Sequence, residues 1–346
     1  MARCDDLKLR PCPVRRSTLT TLLLVLLAVL TLALPAAARK PIAIGIANPD
    51  ANGLTALDNH IGLVGQTPRL WALWSDWGSR GDLKDCVPGQ GDCAFPTDRV
   101  IALQQRGITP VVWWQPTNPA NPLQGLYERY DRTLNGFHDA YITQWARDAK
   151  AAGQATGKPI ILRYAHEATG YWFPWSVGRF DNTKENYKAA WRYVWKIFER
   201  EGALPYVRFM WSTVFPYKWA YPGDKYVKFV GITVLNFGAD RSWRTPGPLI
   251  EKRVVASAKF TKRPIIIAEM ATAYLGGDKA QWLKQAYKGS YEKHPSIWGI
   301  MYLDTDEPNV TAAQPDWRLI KPDDGSAMNM YRTIASWRNF QGQLFQ

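Results

Sequence analysis

Eight short runs of nearly unbroken apolar residues recur along the chain, separated by stretches in which apolar and polar positions mix with a longer period. The runs are Pro41–Ala47, Arg69–Trp74, Thr109–Trp114, Pro159–Tyr164, Val207–Trp211, Phe229–Leu235, Pro264–Ala268 and Ile297–Leu303. A strand covered on both faces has no polar side to show, so such runs suit a buried parallel sheet, whereas a sheet wet on one face would alternate. Between them, Asp98–Arg106, Tyr141–Ala152, Asn186–Glu201, Pro248–Lys259 and Asp278–Lys293 space apolar residues three and four apart, as on one helix face. Gly107 offers a stop to the first of these helices, and Asn182 or Thr183 a cap to the one at Asn186. Eight strand–helix units in roughly 300 residues predict an α/β fold, a single-domain (β/α)8 TIM barrel. An open doubly wound sheet would carry a Gly-rich phosphate turn after its first strand, and the segment at Gly45–Asp50 lacks it.

The first 38 of the 346 residues change the picture of location. A basic leader (Arg3, Lys8, Arg10, Arg15, Arg16) precedes an apolar run from Leu19 to Leu34, and Ala36-Ala37-Ala38 supplies the small residues of a cleavage site. This predicts a signal peptide over 1–38, cleavage after Ala38, a domain over 39–346, and a secreted or periplasmic protein. The apolar run is shorter than a span of about 20 residues, although an uncleaved anchor is the alternative. Of the four cysteines, Cys86 and Cys93 lie in the mature part and flank a turn-forming V-P-G-Q-G-D segment, which predicts a disulfide in an oxidising compartment. No metal-ligand set accompanies them, so no metal and no cofactor are expected.

The net charge is +13, and about +10 without the leader. A basic surface of this kind suits an acidic polysaccharide or cell envelope, or is simply a solvated surface. No dense Lys/Arg tract is present, and no nucleic-acid partner is expected. With 17 Trp, 16 Tyr and 12 Phe, the chain has aromatic faces to spare for a heavy core or for sugar rings.

In a barrel, the carboxyl ends of the strands form the site. Reading those ends gives Trp74, Trp114, His166-Glu167, Trp211, Asn236, Glu269 and Asp304. A carboxylate directly after a buried strand is costly unless paired or used. Glu167 and Glu269, after the fourth and seventh strands, are therefore either ion-pair partners of nearby arginines or the two carboxyls that glycoside hydrolysis needs.

The segment R-Y-A-H-E-A-T-G-Y-W-F-P-W, Arg163 to Trp175, resembles the acid/base segment of glycoside hydrolase family 26, usually R-x-x-H-E-M-N-G-x-W-F-P-W. Weaker resemblances follow in order: G-F-H-D-A-Y-I-T-Q-W-A at Gly136–Ala146, Y-P-G-D-K-Y-V-K-F-V-G-I at Tyr221–Ile232, and R-P-I-I-I-A-E ending at Glu269. The resemblance implies a secreted retaining β-glycanase of β-mannanase type, with Glu167 as acid/base and Glu269 as nucleophile. It further implies substrate contacts from His166 and Trp172. Arg163 is expected to hold Glu269 ionised or to form a core ion pair, while Asn236 is a candidate contact. Trp114 and Tyr302, at strand ends, are candidate platforms for sugar rings or core residues.

The departures from the pattern line the predicted site. Ala168-Thr169 replaces Met-Asn, Leu235 stands where G-I-D-x-Y-N-W-G has its tyrosine, and Tyr302 stands where many relatives carry tryptophan. These changes leave mannan as the default substrate but make another β-linked polysaccharide a strong competitor. A non-catalytic polysaccharide-binding barrel assisting export or assembly is the alternative function. The expected partner is a polysaccharide or oligosaccharide, with no membrane contact after cleavage and a monomeric chain.

Overall fold

The structure, a computed structural model, describes residues 39–48, 53–78, 94–118, 125, 127–238, 243–306, 316–321 and 324–345. The chain divides into Met1–Arg39 and Lys40–Gln346, and the second unit is the barrel. The expected signal peptide and the expected Cys86–Cys93 disulfide lie outside the described residues.

Eight parallel strands close on themselves in sequence order, the first pairing the eighth. They are β1 Ala43–Ala47, β2 Leu70–Asp76, β3 Thr109–Gln115, β4 Ile160–Tyr164, β5 Val207–Thr213, β6 Phe229–Asn236, β7 Ile265–Thr272 and β8 Ile297–Leu303. The helices are α1 Leu54–Val64, α2 Thr97–Gln105, α3 Tyr130–Leu134, α4 Asp139–Thr156, α5 Lys184–Arg200, α6 Pro246–Ala258, α7 Lys279–Lys293 and α8 Ser326–Ser336. Thr183 is the cap of α5, its hydroxyl accepting from the Asn186 amide. Helices α1, α3 and α8 were not expected from sequence. None has a side-chain cap, so each is held by the face it buries rather than by a terminal signal.

The strands are buried almost throughout, and neighbouring residues point to opposite layers. Trp113 and Arg163 are lateral partners on β3 and β4. The guanidinium of Arg163 reaches Glu269 on β7, across the barrel, so this pair faces the interior. Trp114 and Tyr164 face the helices, where Trp114 stacks on Trp145 of α4 and Tyr164 lies against Trp191 of α5.

Two strands depart from their expected ends in ways that matter. β7 does not stop at Ala268; its register against both β6 and β8 slips between Ile267 and Met270, placing Glu269 at a bulge inside the strand. A bulge turns one residue out of the normal alternation and re-aims its side chain. β4 stops at Tyr164, so alternation through 163, 165 and 167 does not carry Glu167 into the mouth. Ala165 and Glu167 instead adopt left-handed backbone, with φ of 43° and 53°.

Candidate active site

The strand-four turn is strained and pinned. Each non-glycine residue in left-handed backbone costs roughly 1–2 kcal/mol, so two within three residues need support from the surroundings. The amides of Ala165 and Glu167 donate to the carbonyls of Trp114 and Ser212, tying the turn to β3 and β5. Trp175, buried behind it, donates its indole N–H to the His166 carbonyl at 2.8 Å and stacks on Phe173 at 4.4 Å. The Tyr130 hydroxyl of α3 in turn donates to the Trp175 carbonyl. The W-F-P-W segment is thus partly a clamp for the turn that carries the glutamate.

Glu167 is 6% exposed. One carboxyl oxygen accepts from the Thr233 hydroxyl at 2.5 Å, and the other from the Trp172 indole at 3.2 Å. Trp172 reaches it by folding over Gly170, where any Cβ would collide with the indole ring. Burial and then the charge of Glu269 raise the Glu167 carboxyl to about 7; Arg163 and the two hydrogen bonds oppose the rise. Glu269 is equally buried and accepts from Arg163 Nη2 at 2.5 Å. The same nitrogen donates to Ser212 Oγ at 2.9 Å. Ser212 has room there because its lateral neighbour on β6 is Gly231, where a Cβ would meet the serine side chain at 2.7 Å. The Arg163 guanidinium lies 3.9 Å from the centre of the Trp113 ring, which replaces water on that side.

Of the residues singled out in the sequence, Arg163, His166, Glu167, Trp172 and Glu269 converge at this end of the barrel. His166 packs among Trp113, Phe173 and Trp175, and burial holds its imidazole well below its ordinary range. Its Nδ1 finds no hydrogen-bond partner among the described residues.

Three other candidates stand elsewhere, and the expectation for two of them is corrected. Trp114 is fully buried on the helix side, its indole N–H donating to the Tyr141 hydroxyl. Burying a tryptophan is worth roughly 4–6 kcal/mol of area removed from water, so that ring belongs to the core and not to a sugar platform. Tyr302 is likewise fully buried, beside Tyr331 of α8, and donates to the Trp317 carbonyl. Asn236 is buried with its amide committed: it donates to Thr272 Oγ1 and accepts from the Arg244 amide, which shapes the chain after β6.

Sequence reasoning missed Trp113, Ser212, Thr233 and Asp76. Thr233 is the lateral partner of Glu269 and also holds Glu167, so one hydroxyl links the two carboxyl-bearing strands. Trp113 was one residue from the tryptophan chosen, and alternation from Arg163 was the signal that would have found it. Asp76 ends β2 on the face that carries Trp74, whose ring touches Trp113. Burial raises its carboxyl to about 7, and its Oδ1 has no hydrogen-bond partner among the described residues. Leu235, in place of a tyrosine, is half-buried beside Ala271, and the donor to Glu269 is Arg163. Among the described residues no three His, Cys, Asp or Glu side chains come together as metal ligands.

This arrangement offers one carboxyl held protonated near neutrality and a second ion-paired with a buried arginine in the same mouth. It can supply a proton and a nucleophile to one bond. Comparison with known proteins agrees in kind. The family model described as Glycosyl hydrolase family 26 matches residues 121–243, which include the Arg163–Trp175 segment. Endoglucanase H of Acetivibrio thermocellus is 32% identical over 230 residues, covering 63% of this chain; the chain spans only 23% of that relative's length. Solved structures share the fold at low identity. The modular endo-β-1,4-mannanase of Cellulomonas fimi superposes with a TM-score of 0.62 at 15% identity, over 87% of this chain and 72% of that one. The catalytic domain of a family 26 endo-β-1,4-mannanase from a Bacillus species gives 0.62 at 17%, over 87% of each chain. The matching segment carries the glutamate turn and the barrel carries the segment, so over residues 121–243 the chain is similar to glycoside hydrolase family 26.

Proposed function

We propose that this protein is a retaining glycoside hydrolase acting on a β-linked polysaccharide, with Glu167 as acid/base and Glu269 as nucleophile. The observation that carries the reading is the asymmetry of the two carboxyls: burial and a like charge hold Glu167 protonated up to about 7, while Arg163 donates to Glu269 at 2.5 Å. In the first step Glu269 attacks the anomeric carbon as Glu167 passes its proton to the leaving glycosidic oxygen, and the bond between them breaks. Esterified Glu269 carries no charge, so one of the two causes raising Glu167 disappears and its carboxylate becomes the stable form. It then takes a proton from water, whose oxygen attacks the same carbon and releases Glu269. Arg163, held by Ser212 and Trp113, keeps the nucleophile in place through both steps.

The mannanase folds above and the family favour β-mannan, whereas the name of the Acetivibrio relative favours a β-glucan. Hydrolysis of mannan, xylan, mixed-linkage glucan and acidic polymers, with the anomer of the first product read by NMR, tests the assignment. Release of product with the starting configuration, abolished by Glu269→Ala, is expected; unchanged release by that variant overturns it. The basic and apolar leader supports export, which mass spectrometry of the secreted protein tests: its first residue is expected to be Arg39.

A further inference from the structure

Beyond β5 the chain runs Val214-Phe215-Pro216-Tyr217-Lys218-Trp219, and this stretch is not used by the two-glutamate chemistry. It begins just past Ser212, which touches Arg163, so it borders the site. Its backbone is fixed: Thr213 Oγ1 donates to the Phe215 carbonyl at 2.8 Å, and Lys218–Ala220 forms a short 3-10 turn. Arg253 of α6 adds a bond from Nε to the Val214 carbonyl. The result is three aromatic rings in a row. Phe215 and Tyr217 lie 5.1 Å apart, and Tyr217 and Trp219 are near-parallel, 20° apart, at 6.1 Å. Tyr217 is 44% exposed and the rings beside it are half-buried.

Two ammonium groups stand over the outer rings. Lys184, the first residue of α5, places Nζ 5.2 Å from the Trp219 ring centre, and Lys252 of α6 places Nζ 5.6 Å from that of Phe215. Both are exposed, and neither makes an ion pair among the described residues. Clustered exposed aromatic surface is uncommon unless it meets a partner. Flat rings suit the apolar face of a pyranose, and unneutralised ammonium groups beside them suit a carboxylate carried on that sugar. The net charge of +13 for the whole chain points the same way.

We propose that Phe215, Tyr217 and Trp219, with Lys184 and Lys252, form a subsite for a carboxylate-bearing sugar of the polysaccharide, away from the cleavage point. The subsite rests on the hydrolase reading and extends it to an acidic substrate. Its test uses the full chain carrying Glu269→Ala, so that binding is read without turnover. The probes are carboxymethyl-β-glucan and hydroxyethyl-β-glucan of matched backbone length, compared by affinity electrophoresis at low and high salt. The parent is expected to prefer the carboxymethyl polymer by about tenfold at low salt, with the preference shrinking as salt rises. Tyr217→Ala weakens binding of both polymers by roughly five- to tenfold. The double variant Lys184→Gln, Lys252→Gln loses the preference and keeps the neutral polymer's affinity. All three side chains are exposed, and unchanged melting temperatures serve as the folding control. Equal affinity of the parent for the two polymers, or variants that bind like the parent, overturns the subsite even if the unsubstituted protein hydrolyses glycans. A preference removed by the lysine changes stands even if that protein hydrolyses none, an outcome that would sink only the hydrolase reading.

Discussion

Lys279, at the start of α7, is buried as deeply as Glu167 beyond β4, and the two are held in opposite ways. The Lys279 ammonium donates to the carbonyls of Asp316 and Arg318 and sits 3.9 Å over the Tyr274 ring. Its neighbours include the carboxylates of Asp316 and Asp304, which favour its charge against the burial that lowers it to about 7. The Glu167 centre has left-handed backbone, a second carboxylate in range, and an arginine whose Nε and Nη1 find no hydrogen-bond partner among the described residues. Burial of a charge for structure recruits opposite dipoles until the group is satisfied. A centre built for reaction keeps like charges close and donors spare, and the surrounding barrel holds the strain.

The sharpest test of that contrast is catalytic. Glu269→Ala should lower kcat on the best polymer by on the order of 10³ or more. Lys279→Met should instead cost about 1–3 kcal/mol in urea unfolding, because the Asp316 and Arg318 carbonyls lose their donor, with kcat retained. A stable Lys279→Met protein with impaired turnover would break the division between the two regions.

Glu167→Gln tests whether the site itself is a load on the fold. Between pH 4.5, the ordinary value for glutamate, and about 7, the folded protein keeps a proton that the unfolded chain has released. Folded protein therefore binds more protons, and this group's contribution to stability falls as pH rises through that window. The glutamine variant should be more stable than the parent by up to about 3 kcal/mol at pH 8, with the gain fading near pH 4.5. A gain independent of pH would mean that burial of charge is not its source. The smallest effect is expected from Thr233→Val. Its hydroxyl favours the ionised form of Glu167, so removing it should raise that carboxyl further. With Glu167 as the proposed acid, which acts protonated, the alkaline limb of kcat/KM should move up by about half to one pH unit. An unmoved limb would show that Thr233 does not tune the acid.

Much of this was legible in the chain. The eight strands matched their apolar runs to within a few residues at each end, because a strand buried on both faces leaves a continuous apolar signature. Arg163, His166, Glu167 and Trp172 were legible together because one short segment carries them all. The remaining partners were not. Ser212 and Thr233 are ordinary strand residues in sequence and acquire meaning only because β5 and β6 lie between β4 and β7 in a closed sheet.

The sequence by itself determined the barrel and named both glutamates, since burial pattern and local motif are properties of contiguous residues. Tertiary structure decided which way those residues point. Of two adjacent tryptophans, Trp113 backs the arginine and Trp114 fills the core, because one step along a strand reverses the face. Glu269 sits at a bulge that only the pairing of β7 with both neighbours defines, and Glu167 at a turn whose backbone is held by carbonyls of β3 and β5. Directions of this kind are set by hydrogen bonds between strands far apart in the chain, and no local pattern encodes them.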